Sequence, residues 1–167
     1  MLRGASETAA LSYAERGVRV SVVRLAPSVH SDADKRGFIP SIIAMAREKG
    51  ASAYVGDGAN RWPGVHRFDA ARLYRLSLES APTGTRLHAA DEQGVPFREI
   101  AEVIGRRLDL PVVSVSAEQA PDYFGWFAHF AAVDNPTSSE LTRKVLGWSP
   151  VRPGLIPDLE EGHYFEQ

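Results

Sequence analysis

The chain contains no cysteine. Disulfide bonding, zinc–thiolate coordination and thiol nucleophiles are therefore excluded from its chemistry. It also lacks an excess of either charge, since 19 Lys and Arg stand against 21 Asp and Glu for a formal net charge of -2. So weak a field does not draw a protein onto phosphate backbones or anionic lipid, and neither a nucleic-acid nor a membrane partner is expected. No run reaches the roughly 20 apolar residues of a membrane span. The opening MLRGASETAALSYAERG places Glu7 and Glu15 where a signal core would be apolar, so a cytoplasmic location is the expectation. The phosphate-cradling patterns G-x-G-x-x-G and G-x-x-x-x-G-K-[ST] are absent, as is the G-x-S-x-G nucleophile elbow, and no internal repeat appears.

What is present is ordinary globular composition, 44% hydrophobic and 24% charged over 167 residues, which suits a single domain. Ser6 is placed to cap a helix over 7–16 that stops at Gly17. Val18–Leu25 then reads as a strand with both faces covered. Pro27 ends it, and Ser28–Gly37 reads as a polar loop. Ile39, Ile42, Ile43 and Ala46 mark a helix closing at Gly50, followed by a short strand at Ala53–Val55 and a turn at Gly56-Asp57-Gly58. Val65–Phe68 reads as extended, with Asp69 as N-cap of a helix through Leu78. Arg86–Ala89 and Val112–Val115 read as strands around a helix carrying Phe97, Ile100, Ala101, Ile104 and Leu108 on one stripe. Ser116 and Gln119 form a capping box ahead of an aromatic stretch from Tyr123 to Phe130, broken by Gly125 into shorter helical pieces. A last clear helix runs through Leu141 and Val145 to Gly147, and Leu155–Phe165 adds a short turn of helix.

Among side chains able to carry chemistry, His30 follows a buried strand, where α/β sheets present ligand-facing groups. His66 lies between short apolar residues and suits either a site or packing. His88, His129 and His163 read as structural or exposed. Arg61 beside Trp62, in a turn after two glycines, fits a clamp for an anionic or ring-bearing ligand, or equally a surface Arg over a partly buried indole. The Tyr123–Phe130 aromatics fit a core better than a pocket. His66 and Asp69 lie three apart, but Asp69 is better explained as a helix cap, and no metal site is expected.

Several blocks in order resemble one family. The segment from Ser6-Glu7 through Gly17–His30, the run Gly56-Asp57-Gly58-Ala59-Asn60-Arg61-Trp62 with Val65-His66-Arg67-Phe68-Asp69-Ala70-Ala71, the helix Phe97–Gly105 and Leu146-Gly147-Trp148-Ser149-Pro150 are similar to the later part of extended or atypical short-chain dehydrogenases/reductases, the NAD-dependent epimerase/dehydratase group. The resemblance implies an α/β fold: the last elements of a Rossmann-like parallel sheet plus a small mixed α/β substrate domain, with no counterpart to the N-terminal nucleotide-binding half. It makes residues 1–167 one incomplete unit, with about 1–30 and parts of 65–90 on the Rossmann side. The family's Tyr-x-x-x-Lys pair falls on Arg3 and Glu7, which cannot supply that acid–base chemistry, so no catalytic residue is assigned. Pro27, Ser28 and Val29 match the loop that in the family passes the nicotinamide end of the cofactor, and His30 sits beside it, so these four are the cofactor-edge candidates. Arg61, Trp62 and His66 are the substrate-side candidates, although the family's phosphate-binding Arg falls on Trp62, which argues against a diphosphate-sugar.

The resemblance thus implies a truncated oxidoreductase-family member whose full-length relatives use NAD or NADP and act on a small molecule. The chain alone is expected to be inactive and to bind neither cofactor tightly. A homodimer or a separately encoded N-terminal half would be its partner, and exposed apolar surface or self-association is expected. The alternative is a non-catalytic binding or interaction module built on the same cleft residues.

Overall fold

The structure, a computed structural model, describes residues 2–166, and side chains from residue 4 onward. Helix α1 spans Leu2–Ser12 and passes through Ser6, which is therefore no cap. The alanines at 5, 9 and 10 favour helix on both sides of that serine, and propensity carries the helix past it. A tight 3-10 turn at Tyr13–Arg16 closes on Gly17, whose positive φ of 80° lets its N–H turn back to the Ala14 carbonyl at 3.1 Å.

Strand β1, Ser21–Leu25, is shorter than expected. Ser28–His30 is strand β2 rather than loop. Pro27 interrupts the chain between them, and β2 finds a second partner: it runs parallel to β4, Arg61–His66, with His30 opposite His66. Helix α2 (Phe38–Lys49) and strand β3 (Ser52–Val55) lie between these strands in sequence. Arg61 and Trp62 thus open a strand instead of occupying a turn. Helix α3, Arg67–Ser80, follows β4 directly, and β5, Thr85–Ala89, pairs parallel with β1 from Ser21↔Thr85 to Leu25↔Ala89.

Strand β6, Glu92–Pro96, was hidden by the weak strand propensity of Gly94 and Pro96 and pairs antiparallel with β4. Its register slips once: Trp62 faces Val95 but Gly64 faces Glu92, so two steps on β4 span three on β6. Helix α4 (Phe97–Leu108) leads to β7 (Val112–Val115), parallel to β3. Ser116 and Gln119 form the expected reciprocal bonds, each backbone N–H donating to the other's side chain at 3.1 and 3.3 Å. The aromatic stretch breaks into α5 (Ala120–Phe124), a 3-10 turn (Gly125–Phe127) and α6 (Ala128–Ala132), and α7 (Glu140–Leu146) and α8 (Leu155–Glu160) complete the order.

The fold is α/β, with three parallel strand pairs covered by helices. One apolar core gathers Ile39, Ile42 and Ile43 of α2, Ile100 and Ile104 of α4, and the rings of Trp62, Phe97, Phe124 and Phe127. A second gathers Val65, Leu73, Leu87, Ala89 and Trp148 between α3 and the β1–β5 pair. The aromatic stretch is split: Phe124 and Phe127 are core, whereas Trp126 is 66% exposed. Tyr13, Val18 and Leu25 also leave apolar surface open. No helix among the described residues is long and apolar enough to cross a membrane.

Asp69 is not the cap of α3. That role belongs to His66, whose Nδ1 accepts from the Phe68 N–H at 3.3 Å. Asp69 sits in the first turn and fastens a later segment: its Oδ2 accepts from Val151 and Arg152 N–H at 3.1 and 2.9 Å, and its carbonyl accepts from the Trp148 indole at 3.0 Å.

Gly105 sits inside α4, where alanine would favour the helix by about 1 kcal/mol. A Cβ there would stand 2.4 Å from Val112 Cγ2 and 3.1 Å from the Leu110 carbonyl. Overpacking of this kind destabilises by about 1–3 kcal/mol, so Gly105→Ala is expected to lower stability by roughly 1 kcal/mol net. Urea unfolding measures it, and a more stable variant would show that α4 and β7 have room to separate.

Candidate functional site

The side chains with the greatest chemical capacity lie between the β2–β4 pair and α8. Residues two apart on a strand share a face, so Ser28 and His30 point the same way, across from Gly64 and His66. Gly64 keeps the space open: a Cβ there would stand 3.0 Å from Glu92 Oε2, 3.2 Å from Leu155 Cβ and 3.6 Å from His30 Cδ2. Glu92 in turn holds the start of α8 by accepting from the Leu155 N–H at 2.9 Å. One turn further on, Asp158 Oδ2 accepts from His30 Nδ1 at 2.9 Å, with the two side chains 3% and 1% exposed.

His66 stands edge-on to His30, with ring centroids 5.6 Å apart. Burial, and then the neighbouring His30, hold its pKa below the ordinary value against the opposing pull of Asp158 and Asp69. Because its Nδ1 accepts from the helix, the neutral ring carries its proton on Nε2. Two polar atoms in this layer, Ser28 Oγ and His30 Nε2, are buried without a hydrogen-bond partner. The C-terminal turn closes the layer: Tyr164 Oη accepts from the Ser31 N–H at 3.1 Å and donates to Asp34 Oδ2 at 3.4 Å. Burial raises that phenol far above its usual pKa.

Ser28, His30 and His66 are therefore brought together, with Pro27 at the bend before them. Val29, one residue out of phase, turns to the second core. Arg61 and Trp62 stand apart from this layer, Trp62 preceding His66 by about 13 Å of strand. Arg61 is held by Asp134 in a two-point ion pair, Nε to Oδ1 at 3.0 Å and Nη2 to Oδ2 at 2.8 Å, and its own N–H also donates to Oδ1. These bonds push the Asp134 pKa down to about 2. Trp62 is 2% exposed, packed among Phe38, Phe97 and Phe127, and its indole N–H donates to the Phe130 carbonyl at 3.1 Å. It is a core residue with one satisfied polar edge.

Asp158 was missed in the sequence, 128 residues from the histidine it binds. A signal existed, since Leu155, Asp158 and Leu159 recur at helical spacing and put a carboxylate on an apolar stripe. His66 and Asp69 do not converge on a common point, because Asp69 is taken by two backbone N–H groups. Glu7 accepts from Arg24 at 2.8 and 3.0 Å and from Arg86 at 2.7 Å, bonds that lower its pKa to about 2. A carboxylate so held stays ionised near neutrality and moves no proton there. The side chain of Arg3 lies outside the described residues. A surface depression of about 500 Å³ between β5 and α7 is lined by Arg86, His88, Ser138 and Lys144 among others, and by none of the candidate residues.

A dinucleotide fits this set of residues poorly. Where β4 runs into α3, the helix N-terminus is closed by His66 and bears Asp69, which repels phosphate. The unpaired Ser28 Oγ and His30 Nε2 offer polar contacts but no cradle of backbone N–H groups for a pyrophosphate.

No family model matches the chain. An uncharacterised protein of Schizosaccharomyces pombe is 49% identical over 163 residues, which is 98% of this chain and 55% of that protein. One from Saccharomyces cerevisiae is 45% identical over 98% of this chain and 54% of its own length. The chain thus spans about half the length of the curated relatives it matches. Among solved structures, dTDP-glucose 4,6-dehydratase from Streptomyces venezuelae with NAD bound superposes with a TM-score of 0.69 at 20% identity, covering 93% of this chain and 47% of the enzyme. An epimerase from Methanothermobacter thermautotrophicus gives 0.72 at 16% identity, covering 95% and 47%. RMD from Pseudomonas aeruginosa, complexed with NADPH, gives 0.62 at 19% identity, covering 94% and 53%. These likenesses establish the fold as the Rossmann-like α/β fold found in such epimerases and dehydratases.

Glu7 gives the acid limb of stability a defined origin. Its folded pKa of about 2 lies below the ordinary 4.5, so its contribution is complete above the ordinary value and is lost as pH falls towards 2. Melting temperatures of Glu7→Gln and the parent are expected to differ at neutral pH and to converge in that acid window. A difference that persists unchanged into acid would assign the effect to something other than the carboxylate charge.

Proposed function

We propose that this chain is the substrate-side portion of an NAD(P)-dependent oxidoreductase of the epimerase/dehydratase type, and that by itself it binds no dinucleotide tightly. The observation that carries the reading is coverage: 93–95% of the chain superposes on about half of enzymes such as the dehydratase solved with NAD and the epimerase. The open side of β1 supports it. Among the described residues β1 pairs with β5 alone, so its other edge presents unpaired backbone groups to which another parallel strand can add.

In this reading Pro27, Ser28 and His30, at the carboxyl end of β1, form the cofactor edge, with Val29 contributing its backbone while its side chain packs on the second core; this is the position where open α/β sheets receive ligands. His66 is the substrate-side candidate in this layer, and Arg61, at the other end of β4 and paired with Asp134, is a second, separate one, with Trp62 beside it in the core. The substrate is a small molecule. The partner is a nucleotide-binding unit, either in the same polypeptide or supplied by another. No residue is given a catalytic role, since Glu7 is tied up by two arginines.

Titration calorimetry with NADH and NADPH tests both halves of the proposal. The 167-residue chain is expected to bind neither at micromolar concentration, whereas the full-length fission-yeast relative binds one of them. Micromolar binding by the chain alone would overturn the second half, and failure of the longer relative to bind either cofactor would overturn the first.

A further inference from the structure

The turn that ends α8 brings together three donors that the proposed function does not use. Asp158 lies in α8, Glu161 follows the helix, and Gly162, with φ of 94°, reverses the chain so that His163 folds back over Asp158. One carboxylate oxygen from each acid and an imidazole nitrogen lie within 4.8 Å of one another. Ligands about 2.0–2.2 Å from a common ion stand roughly 3.3–3.6 Å apart in a tetrahedron, so a trio inside this limit closes on one ion with a small movement of the exposed Glu161 side chain. His163 Nε2 is shut off from solvent, has no hydrogen-bond partner, and stands 3.8 Å from Asp158 Oδ2. That is too far for a hydrogen bond and suits two ligands of one ion.

The charge balance points the same way. Asp158 is almost wholly buried, yet among the described residues its ion-pair partners are imidazoles only, His30 and His163, with no Lys or Arg. Buried carboxylates are normally paired with a cation or coordinate a metal. Arg107, behind Gly162, is already engaged by Glu160. The His30 Nδ1 bond at 2.9 Å fixes the Asp158 carboxylate through Oδ2, the oxygen that also faces His163, as outer-shell groups orient metal-binding carboxylates. We propose that Asp158, Glu161 and His163 bind one zinc ion, which clamps the C-terminal turn onto α8. Two oxygens and one imidazole nitrogen suit zinc better than the all-oxygen preference of magnesium or calcium. Exposed Glu161 leaves the fourth position to water. This trio is distinct from His66 and Asp69, on which the expectation of no metal rested.

The test uses the 167-residue chain after chelator treatment, titrated with Zn²⁺ by calorimetry and melted with and without the ion. One Zn²⁺ per chain is expected, together with a rise in melting temperature. Glu161→Gln and His163→Ala should each weaken binding by at least about tenfold. Glu161 is exposed, so its variant folds as the parent does and carries the test even if His163→Ala does not fold. Three results would overturn the proposal: no binding at roughly a hundred micromolar Zn²⁺, undiminished binding in Glu161→Gln, or an equal response to Mg²⁺, which would remove the imidazole from the ligand set.

Discussion

The hydrogen bond from His30 to Asp158 joins the two ends of the chain, and much of the surrounding structure is arranged so that it can exist. A buried carboxylate and a buried imidazole are each unfavourable alone and tolerable together. Bringing them into contact requires β2 to leave the line of β1 at Pro27 and pair with β4. It requires Gly64 to present no side chain and Glu92 to receive the first N–H of α8. Each is a small local condition. Together they place one short helix over one short strand, and that contact buries the candidate layer of Ser28, His30 and His66.

The two apolar cores divide the labour differently. The larger one, between α2, α4 and the aromatic rings, is a packing solution that uses Trp62 as a wall. The smaller one, under α3, welds the β1–β5 pair to the Trp148 segment through Asp69. The polar layer belongs to neither and reaches both through β4, whose Val65 enters one core and whose Trp62 enters the other.

Legibility in the sequence followed the kind of force at work. Helices α2 and α4 were readable because their burial is continuous along one face, so Ile39, Ile42, Ile43 and Phe97, Ile100, Ile104 recur at helical spacing. The parallel strands at Ser21–Leu25 and Thr85–Ala89 were readable from their β-branched and apolar content. Strands β2 and β6 were not, because backbone pairing with β4 decides them and Ser28, Gly94 and Pro96 carry no local preference for it. The same cause moved Arg61 and Trp62 from a turn into a strand. His30 and His66 were picked out as candidates, but nothing within a few residues of either points to Asp158. Asp69 was assigned the right helix and the wrong bond, since a carboxylate near a helix start serves equally well as a cap or as an anchor for a distant loop.

The slipped register in β6 reaches further than its size suggests. Opposite Trp62 stands Val95, and two steps on, Gly64 meets Glu92 rather than Gln93. The extra residue makes β6 a counting device: it sets which side chains of the strand fall on the apolar side and which reach α8. Paired evenly, with no slip, the same five residues would set Gln93 opposite Gly64. A neutral amide would then stand where the carboxylate now accepts from the first N–H of α8. The extra residue of β6 is thus what lets one short strand meet the apolar wall at Trp62 and the start of α8 at once.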